Sequence, residues 1–427
     1  MQVAVRRPRR LTGTITPPGD KSISHRAVIF NAIAEGEARI NNYGPGADCQ
    51  STLRVLRSLG TQIDSNGSSL MVQGGTLQEP IDILNTGNSG TTTRLMAGVL
   101  AGQSFLSVMT GDRSIRSRPM GRIVDPLRLM GAQVDGRDGG KLAPLIFRGG
   151  TLHGIEYRLP VASAQLKSAL LLAGLFAEGD TVLAQPALSR DHTELMFRAM
   201  GAEVTEDGLT VSVKPARLRA IDVTIPADIS SAAYWLVAAV CHPDAELTVM
   251  GVGTNPTRTG ILDALQAMGA DLSIINERIE GGEQVADIIA RSSRLHSIEV
   301  AGDLIPRLVD EVPILALAAC FAEGTTVICD AAELRVKESD RLQATSKELT
   351  RMGASVEELS DGLRITGGHT LTGARGRSYG DHRIAMTLGI AGLLASGETT
   401  IAAADAASIS YPSFWDDLAS LAEGVKS

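Results

Sequence analysis

One phrase returns six times along this chain of 427 residues: an Ala/Leu-rich stretch of helical character, a glycine or turn, then a short β-branched strand. The copies read NAIAEGEARI, AGVLAGQSFLSV, AGLFAEGDTVL, VAAVCHPDAELTV, AACFAEGTTVI and AGLLASGETTI. Glycine ends a helix without steric penalty, so each copy predicts a helix, its stop and a strand. A second phrase of the same meaning recurs as RSLGTQI, RLMGAQV, RAMGAEV, QAMGADL and TRMGASV, with a degenerate sixth in WDDLASLAEG. The first-phrase helices start near Lys21, Asn88, Ser163, Asp228, Asp310 and Asp381. Their spacing of roughly 65 to 82 residues exceeds the period of common solenoids, so each unit is a small α/β subdomain.

Six subdomains in a chain of this length predict two domains of three. The division is expected in AIDVTIPADISSAAYWL, at the third-to-fourth junction. The N-terminal strand, residues 2 to 16, precedes the first subdomain and is expected to pack with the later half. The expected division is therefore residues 1–14 plus 228–427 for a discontinuous second domain and 15–227 for the first, joined by a two-stranded hinge.

Composition narrows the function classes. A hydrophobic fraction of 44% with 21% charged residues is that of a soluble globular protein. An aromatic content of 3% and a net charge of -8 argue against a broad nucleic-acid surface, which needs a basic field and stacking rings. Four cysteines, at 49, 241, 320 and 329, form no C-x-x-C pair, so no metal site or disulfide framework is expected. They read as small buried hydrophobes in a reducing compartment. The start, MQVAVRRPRRLTG, has a twin arginine with no apolar run behind it, and no segment is long and apolar enough for a bilayer. The expectation is a cytoplasmic monomer without membrane or nucleic-acid partners.

The six helix starts read GDKSISHRAV, NTGNSGTTTRLM, VASAQLKSALL, PADISSAAYWL, LVDEVPILAL and YGDHRIAMTL. Their Asp, Ser, Asn and Thr are explained by N-capping. Capping does not explain Lys21, Arg26, Arg94, Lys167, His382 and Arg383, cations placed where the helix dipole is already positive. Bound anions do explain them, because a helix N-terminus and a basic side chain act on phosphate or carboxylate in the same direction. GNSGTTTR lacks the G-K-[ST] ending of a nucleoside-triphosphate loop. The densest cluster is AELRVKESDRLQATSKEL, where Ser339 or Asp340 can cap a helix and Arg335, Lys337, Glu338 and Arg341 crowd its front. Surface ion pairing is the bland reading for that cluster. Lys21, Asp310 and Glu338 are the candidates for proton transfer. A lysine among cations is expected to give up its proton more readily than usual, and a carboxylate among arginines to remain ionised and serve as a base.

PGDKSISHRA, LNTGNSGTTTRLM, RSRPMGRIVDPL, SAQLKSALL, LRVKESDRL and YGDHRIAM closely resemble the signature segments of the 5-enolpyruvylshikimate-3-phosphate synthase family, in the family's order over nearly the whole chain. The resemblance implies an α/β fold of two similar domains, each of three βαβαββ units with helices packed inside the sheets, an inside-out barrel closing on substrate at the interdomain cleft. It implies transfer of an enolpyruvyl group from phosphoenolpyruvate to the 5-hydroxyl of shikimate 3-phosphate, with no metal or organic cofactor.

Carried over by motif, Lys21, Ser22, Arg26, Ser163, Ala164, Gln165, Ser189, Arg190, Asp310 and Lys337 are expected to hold shikimate 3-phosphate. Lys21, Asn88, Gly90, Thr91, Arg118, Gln165, Glu338, Arg341, His382 and Arg383 are expected to hold phosphoenolpyruvate. Gly90 leaves room there, which implies inhibition by the anionic competitor glyphosate. Lys21, Asp310 and Glu338 are the expected catalytic groups, and His25 is expected to be a structural neighbour. Two positions depart from the family. Ala164 stands where many members carry a second serine, leaving only a backbone N-H, and Ile409 stands where some carry a lysine toward phosphate. The rival readings are the enolpyruvyl transferase of UDP-N-acetylglucosamine, whose usual loop cysteine is absent from TGDRSIRSRPMGR, and a noncatalytic anion-binding protein.

Overall fold

The computed structural model describes residues 1–421. The chain divides into two compact units: a split unit of Met1–Pro18, Pro226–Ile279 and Gln284–Ser427, and an inserted unit of Gly19–Ile225 with Glu280–Glu283. Residues 15–18 and 226–227 thus group with the split unit rather than with the first domain as the sequence suggested, and a four-residue turn joins the inserted one.

Within each unit the two recurring phrases become two kinds of helix. First-phrase helices are buried on every side: each residue of Val312–Cys320 and of His382–Leu394 is buried. An α-helix that is apolar all round has no solvent face to offer and must lie inside. Second-phrase helices such as Ala47–Ser58 and Arg341–Arg351 alternate buried and exposed positions and cover the flank. The expected sixth copy of the second phrase forms the helix Phe414–Leu421, and its glycine at 424 lies outside the described residues.

Five of the six subdomains repeat one four-strand pairing rule. Leu84–Asn85 runs parallel to Ser107–Thr110, with the buried helix Gly90–Ala101 between them in sequence. Ser107–Thr110 then pairs antiparallel with Leu142–Phe147, which pairs antiparallel with Val134–Arg137. The order of elements is βαβαββ, a helical crossover followed by a tight antiparallel return, as parallel strands require a long connection and antiparallel ones do not. Glu156–Arg158 and Glu299–Val300 open two further sheets of this pattern.

The remaining sheets show why one unit is split. Leu11–Ile15 immediately precedes the first helix, yet it pairs in parallel with Ala245–Gly253 of the split unit. Val223–Thr224 immediately precedes the fourth helix, Ile229–Cys241, yet it pairs with Glu37–Asn41 of the inserted unit. The two opening strands are exchanged, so the chain enters the inserted unit after residue 18 and leaves it after residue 225, returning only for the 280–283 turn. The last sheet lacks its own return strand, and Gln2–Arg6 supplies one by pairing with Glu398–Ala402. The single strand expected over residues 2–16 is therefore two, interrupted around Pro8, which lacks a ladder donor and restricts the residue before it.

Candidate active site

Capping accounts for the acids and hydroxyls at five of the six buried-helix fronts. Asp20, Ser89, Ser163, Asp228 and Asp381 each accept from a backbone N-H of the first turn of their own helix. The sixth front is different. A single 3-10 turn, Val309–Glu311, leads into Val312–Cys320, Pro313 occupies the first turn, and no side chain caps it. Asp310 and Glu311 engage arginines instead. Of the two possible caps before Arg341–Arg351, Asp340 acts, accepting from Gln343 N at 3.1 Å.

In the inserted unit, Asn88, Gly90, Thr91, Arg94, Arg118 and Gln165 come together around one helix front. Arg118 donates to the Asn88 carboxamide at 2.8 Å and to Ser114 Oγ at 3.1 Å. Arg94 donates to Gln165 Oε1 at 2.7 Å, and Gln165 Nε2 donates to Thr91 Oγ1 at 2.9 Å. A methyl group placed on Gly90 would lie 2.8 Å from Arg94 Nη1 and 3.0 Å from Arg118 Nη1. The glycine therefore keeps two guanidinium tips close to the first-turn N-H groups, an arrangement suited to a small anion. Arg94, noticed in the sequence only as a displaced cation, belongs to this set.

Beside it, Lys21 pairs with Asp48 at 3.2 Å. The sequence showed a lysine crowded by cations, and the fold also brings a carboxylate to it from the Ala47–Ser58 helix. Arg26 is buried and donates to Thr193 Oγ1 at 2.8 Å, Ser168 Oγ at 2.7 Å and the Ser22 carbonyl at 2.9 Å. Burial draws its pKa down to about 10, against the opposing pull of Glu194. Lys167 corrects the anion reading outright: both it and Glu194 are 1% exposed, and they form an ion pair at 2.6 Å, so this cation is matched inside the fold. Burial raises the Glu194 pKa while Lys167 opposes the rise. Ser189 donates to Gln185 Oε1 at 2.8 Å, and Arg190 lies close enough to Arg26 to act on its charge.

His25 takes a structural role. It is fully buried, and burial, with Lys21 and Arg26 nearby, lowers its pKa to about 3, so the ring is neutral. Its Nδ1 meets Thr52 Oγ1 at 2.6 Å, Thr52 meets Thr92 at 2.7 Å, and Thr92 donates to the Ser89 cap at 2.7 Å. Since the last hydroxyl donates toward Ser89, the preceding ones must donate in turn, which places the imidazole proton on Nδ1. The chain ties the Lys21–Ala32 helix to the cap of Gly90–Ala101.

In the split unit the centre is Arg341, 2% exposed. Its Nε donates to Asp381 Oδ2 at 2.8 Å, Nη1 to Asp310 Oδ1 at 3.2 Å and Nη2 to Glu338 Oε2 at 2.5 Å. Burial opposes the guanidinium charge, yet Asp381, Glu338 and Asp310 together hold its pKa above the ordinary value, and burial, overcome chiefly by Arg341, leaves Asp381 below its own. Arg383 lies 3.9 Å from Asp310 and 3.6 Å from the buried Glu311. Glu311 accepts from Ser230, which also accepts from Arg258 at 2.7 Å. His382 is buried, 3.8 Å from Asp381. The bland reading of this cluster as exposed surface pairs fails for Arg341. It holds better for Lys337, which pairs with Glu333 at 3.1 Å at the half-exposed edge.

Sequence reasoning missed Asp48, Glu311, Arg258 and the hub role of Asp381, whose only signal was its place before a helix. Ile409 packs against the split unit's core, and Ala164 opens its helix. Among the described residues, no three His, Cys, Asp or Glu side chains gather as a metal site, and no helix is long and apolar enough to cross a membrane.

Residues 5–418 match the family described as EPSP synthase (3-phosphoshikimate 1-carboxyvinyltransferase). A 3-phosphoshikimate 1-carboxyvinyltransferase from Roseiflexus castenholzii is 54% identical, over 97% of this chain and 98% of the relative. One of the same description from Gloeobacter violaceus is 57% identical, over 96% of each. A solved structure of EPSP synthase from Acinetobacter baumannii superposes with a TM-score of 0.89 at 42% identity, covering 100% of this chain and 99% of that one.

Proposed function

The chain belongs to the EPSP synthase (3-phosphoshikimate 1-carboxyvinyltransferase) family, and from that premise we propose that it moves the enolpyruvyl group of phosphoenolpyruvate onto the 5-hydroxyl of shikimate 3-phosphate, releasing phosphate. The observation that best supports this reading is the sharing of one buried guanidinium, Arg341, by two candidate proton-transfer acids, Asp310 and Glu338.

The reaction is an addition followed by an elimination. Asp310 takes the proton of the 5-hydroxyl as its oxygen bonds to C2 of phosphoenolpyruvate, while C3 gains a proton and becomes a methyl group. Return of a C3 proton to the protein restores the double bond and breaks the C2–O bond, expelling phosphate. Glu338, an acceptor against Arg341, suits the second proton step, and Lys21, an ammonium beside Asp48, suits the first. The Gly90 front, with Arg94 and Arg118, receives the phosphoenolpyruvate anion, and dipoles fixed before reaction stabilise the charge that develops. Ser22, Arg26, Ser163, Ala164, Gln165, Ser189, Arg190 and Lys337 serve shikimate 3-phosphate.

Phosphate release from phosphoenolpyruvate should require shikimate 3-phosphate and should not occur with UDP-N-acetylglucosamine; release with the sugar nucleotide alone would replace this assignment. Rapid quench of single turnovers assigns the protons. Lys21→Met should abolish formation of the tetrahedral intermediate, whereas Glu338→Gln should let it form and accumulate. The reverse pattern exchanges the two roles.

A further inference from the structure

Both units end their three buried helices around a cavity, and the two cavities differ in charge. In the inserted unit, the residues that follow the helices, Ile33, Gln103 and Leu175, line a space of about 590 Å³ with Leu77 and Phe176. Its one basic side chain, Arg217, is paired with Glu35 at 3.2 Å. In the split unit, the corresponding residues Cys241, Phe321 and Leu394 line about 470 Å³ together with Arg7, Arg294 and His369. These three side chains are exposed and make no hydrogen bond or ion pair among the described residues.

Helix C-termini favour cations. That alone does not account for the basic residues, because the inserted unit makes the same three-helix convergence with a single basic side chain, which is paired with an acid. The arm that carries Arg7 is also held firmly. It is the middle of RRPRR, the motif left unused by the reaction: Arg6 pairs with Glu398 at 2.9 Å and Arg10 with Asp244 at 3.5 Å. The Nε2-H of buried His242 donates to the Pro8 carbonyl at 3.1 Å, since a carbonyl oxygen can only accept. Two guanidiniums without acid partners, one of them on a braced backbone, stand over a floor formed by Phe321 and Leu394 and can converge on a compact anion.

We propose that the cavity formed by Arg7, Arg294 and His369 is a second ligand site of this protein, taking a small polyanion of the phosphate or carboxylate class. It stands independently of the catalytic assignment. Its volume of about 470 Å³ and the protein's net charge of -8 suit a small molecule rather than nucleic acid.

Calorimetric titration with pyrophosphate and, separately, citrate tests this in the full chain. The wild type should show a binding component that weakens tenfold or more in Arg7→Gln/Arg294→Gln, with Arg217→Gln and steady-state turnover unchanged. Binding of pyrophosphate alone assigns a phosphate ligand, of citrate alone a carboxylate ligand, and of both a site that reads charge density. Arg294→Gln alone gives the same reading, at smaller amplitude, should the double variant not fold. Equal titrations of wild type and variants, or no binding of either anion, would overturn the proposal.

Discussion

The inserted and split units repeat one subdomain plan, and both match lysines or arginines with acids, but they steady the arginines at their helix fronts differently. Within the inserted unit, Arg26 rests on two hydroxyls and a carbonyl, Arg94 on a carboxamide, and Arg118 on a carboxamide and a hydroxyl. Within the split unit, Arg341 is gripped by three carboxylates and Arg383 faces two. A neutral partner fixes where a guanidinium points while leaving its charge to act on a ligand. A carboxylate partner matches that charge and is itself held ready to accept a proton. The same helix-front geometry thus sets arginines against neutral groups in one unit and against carboxylates in the other, the contrast on which the proposed anion seat and proton-transfer cluster rest.

The sharpest test of that contrast removes one arginine from each side. Arg341→Met leaves wholly buried Asp381 without its guanidinium and should cost about 3–5 kcal/mol in urea unfolding, with activity lost. Arg26→Met leaves Ser168 and Thr193 still bonded to each other at 2.7 Å and should cost only about 1–3 kcal/mol. Equal losses would erase the distinction between the units.

A second test uses the buried histidine of the neutral side. His25 titrates at about 3 in the folded chain against 6.5 when unperturbed. Between those values the unfolded chain binds one more proton, so stability is intact above pH 6.5 and falls as pH drops toward 3, by about 1.4 kcal/mol per unit. His25→Gln should remove this one-proton slope from the pH dependence of unfolding. An unchanged slope would mean that the histidine is not the neutral anchor of the hydroxyl chain.

The smallest effect is expected at Gly90. Alanine there would press on two guanidinium tips, flexible groups that can retreat, so stability should change by less than about 1 kcal/mol. KM for phosphoenolpyruvate should rise roughly tenfold, the equivalent of about 1.4 kcal/mol, and inhibition by glyphosate should weaken in parallel. Unaltered glyphosate inhibition would place the anion seat elsewhere.

Much of this was legible in the sequence because it is local. Alternation of apolar helix, glycine stop and strand marked the subdomains, and an Asp or Ser before each apolar run marked the fronts, since periodicity and capping act within a few residues. The resemblance of six short motifs fixed the family. Tertiary structure alone decided the rest. Leu11–Ile15 and Val223–Thr224 exchange sheets because a strand pairs with whichever edge is open, whatever its place in sequence. Lys167 meets Glu194, Lys21 meets Asp48, and Arg341 meets acids 31 and 40 residues away. The charge at a helix front is a local fact, but whether it is matched by the fold or left for a ligand depends on side chains that only folding brings within reach.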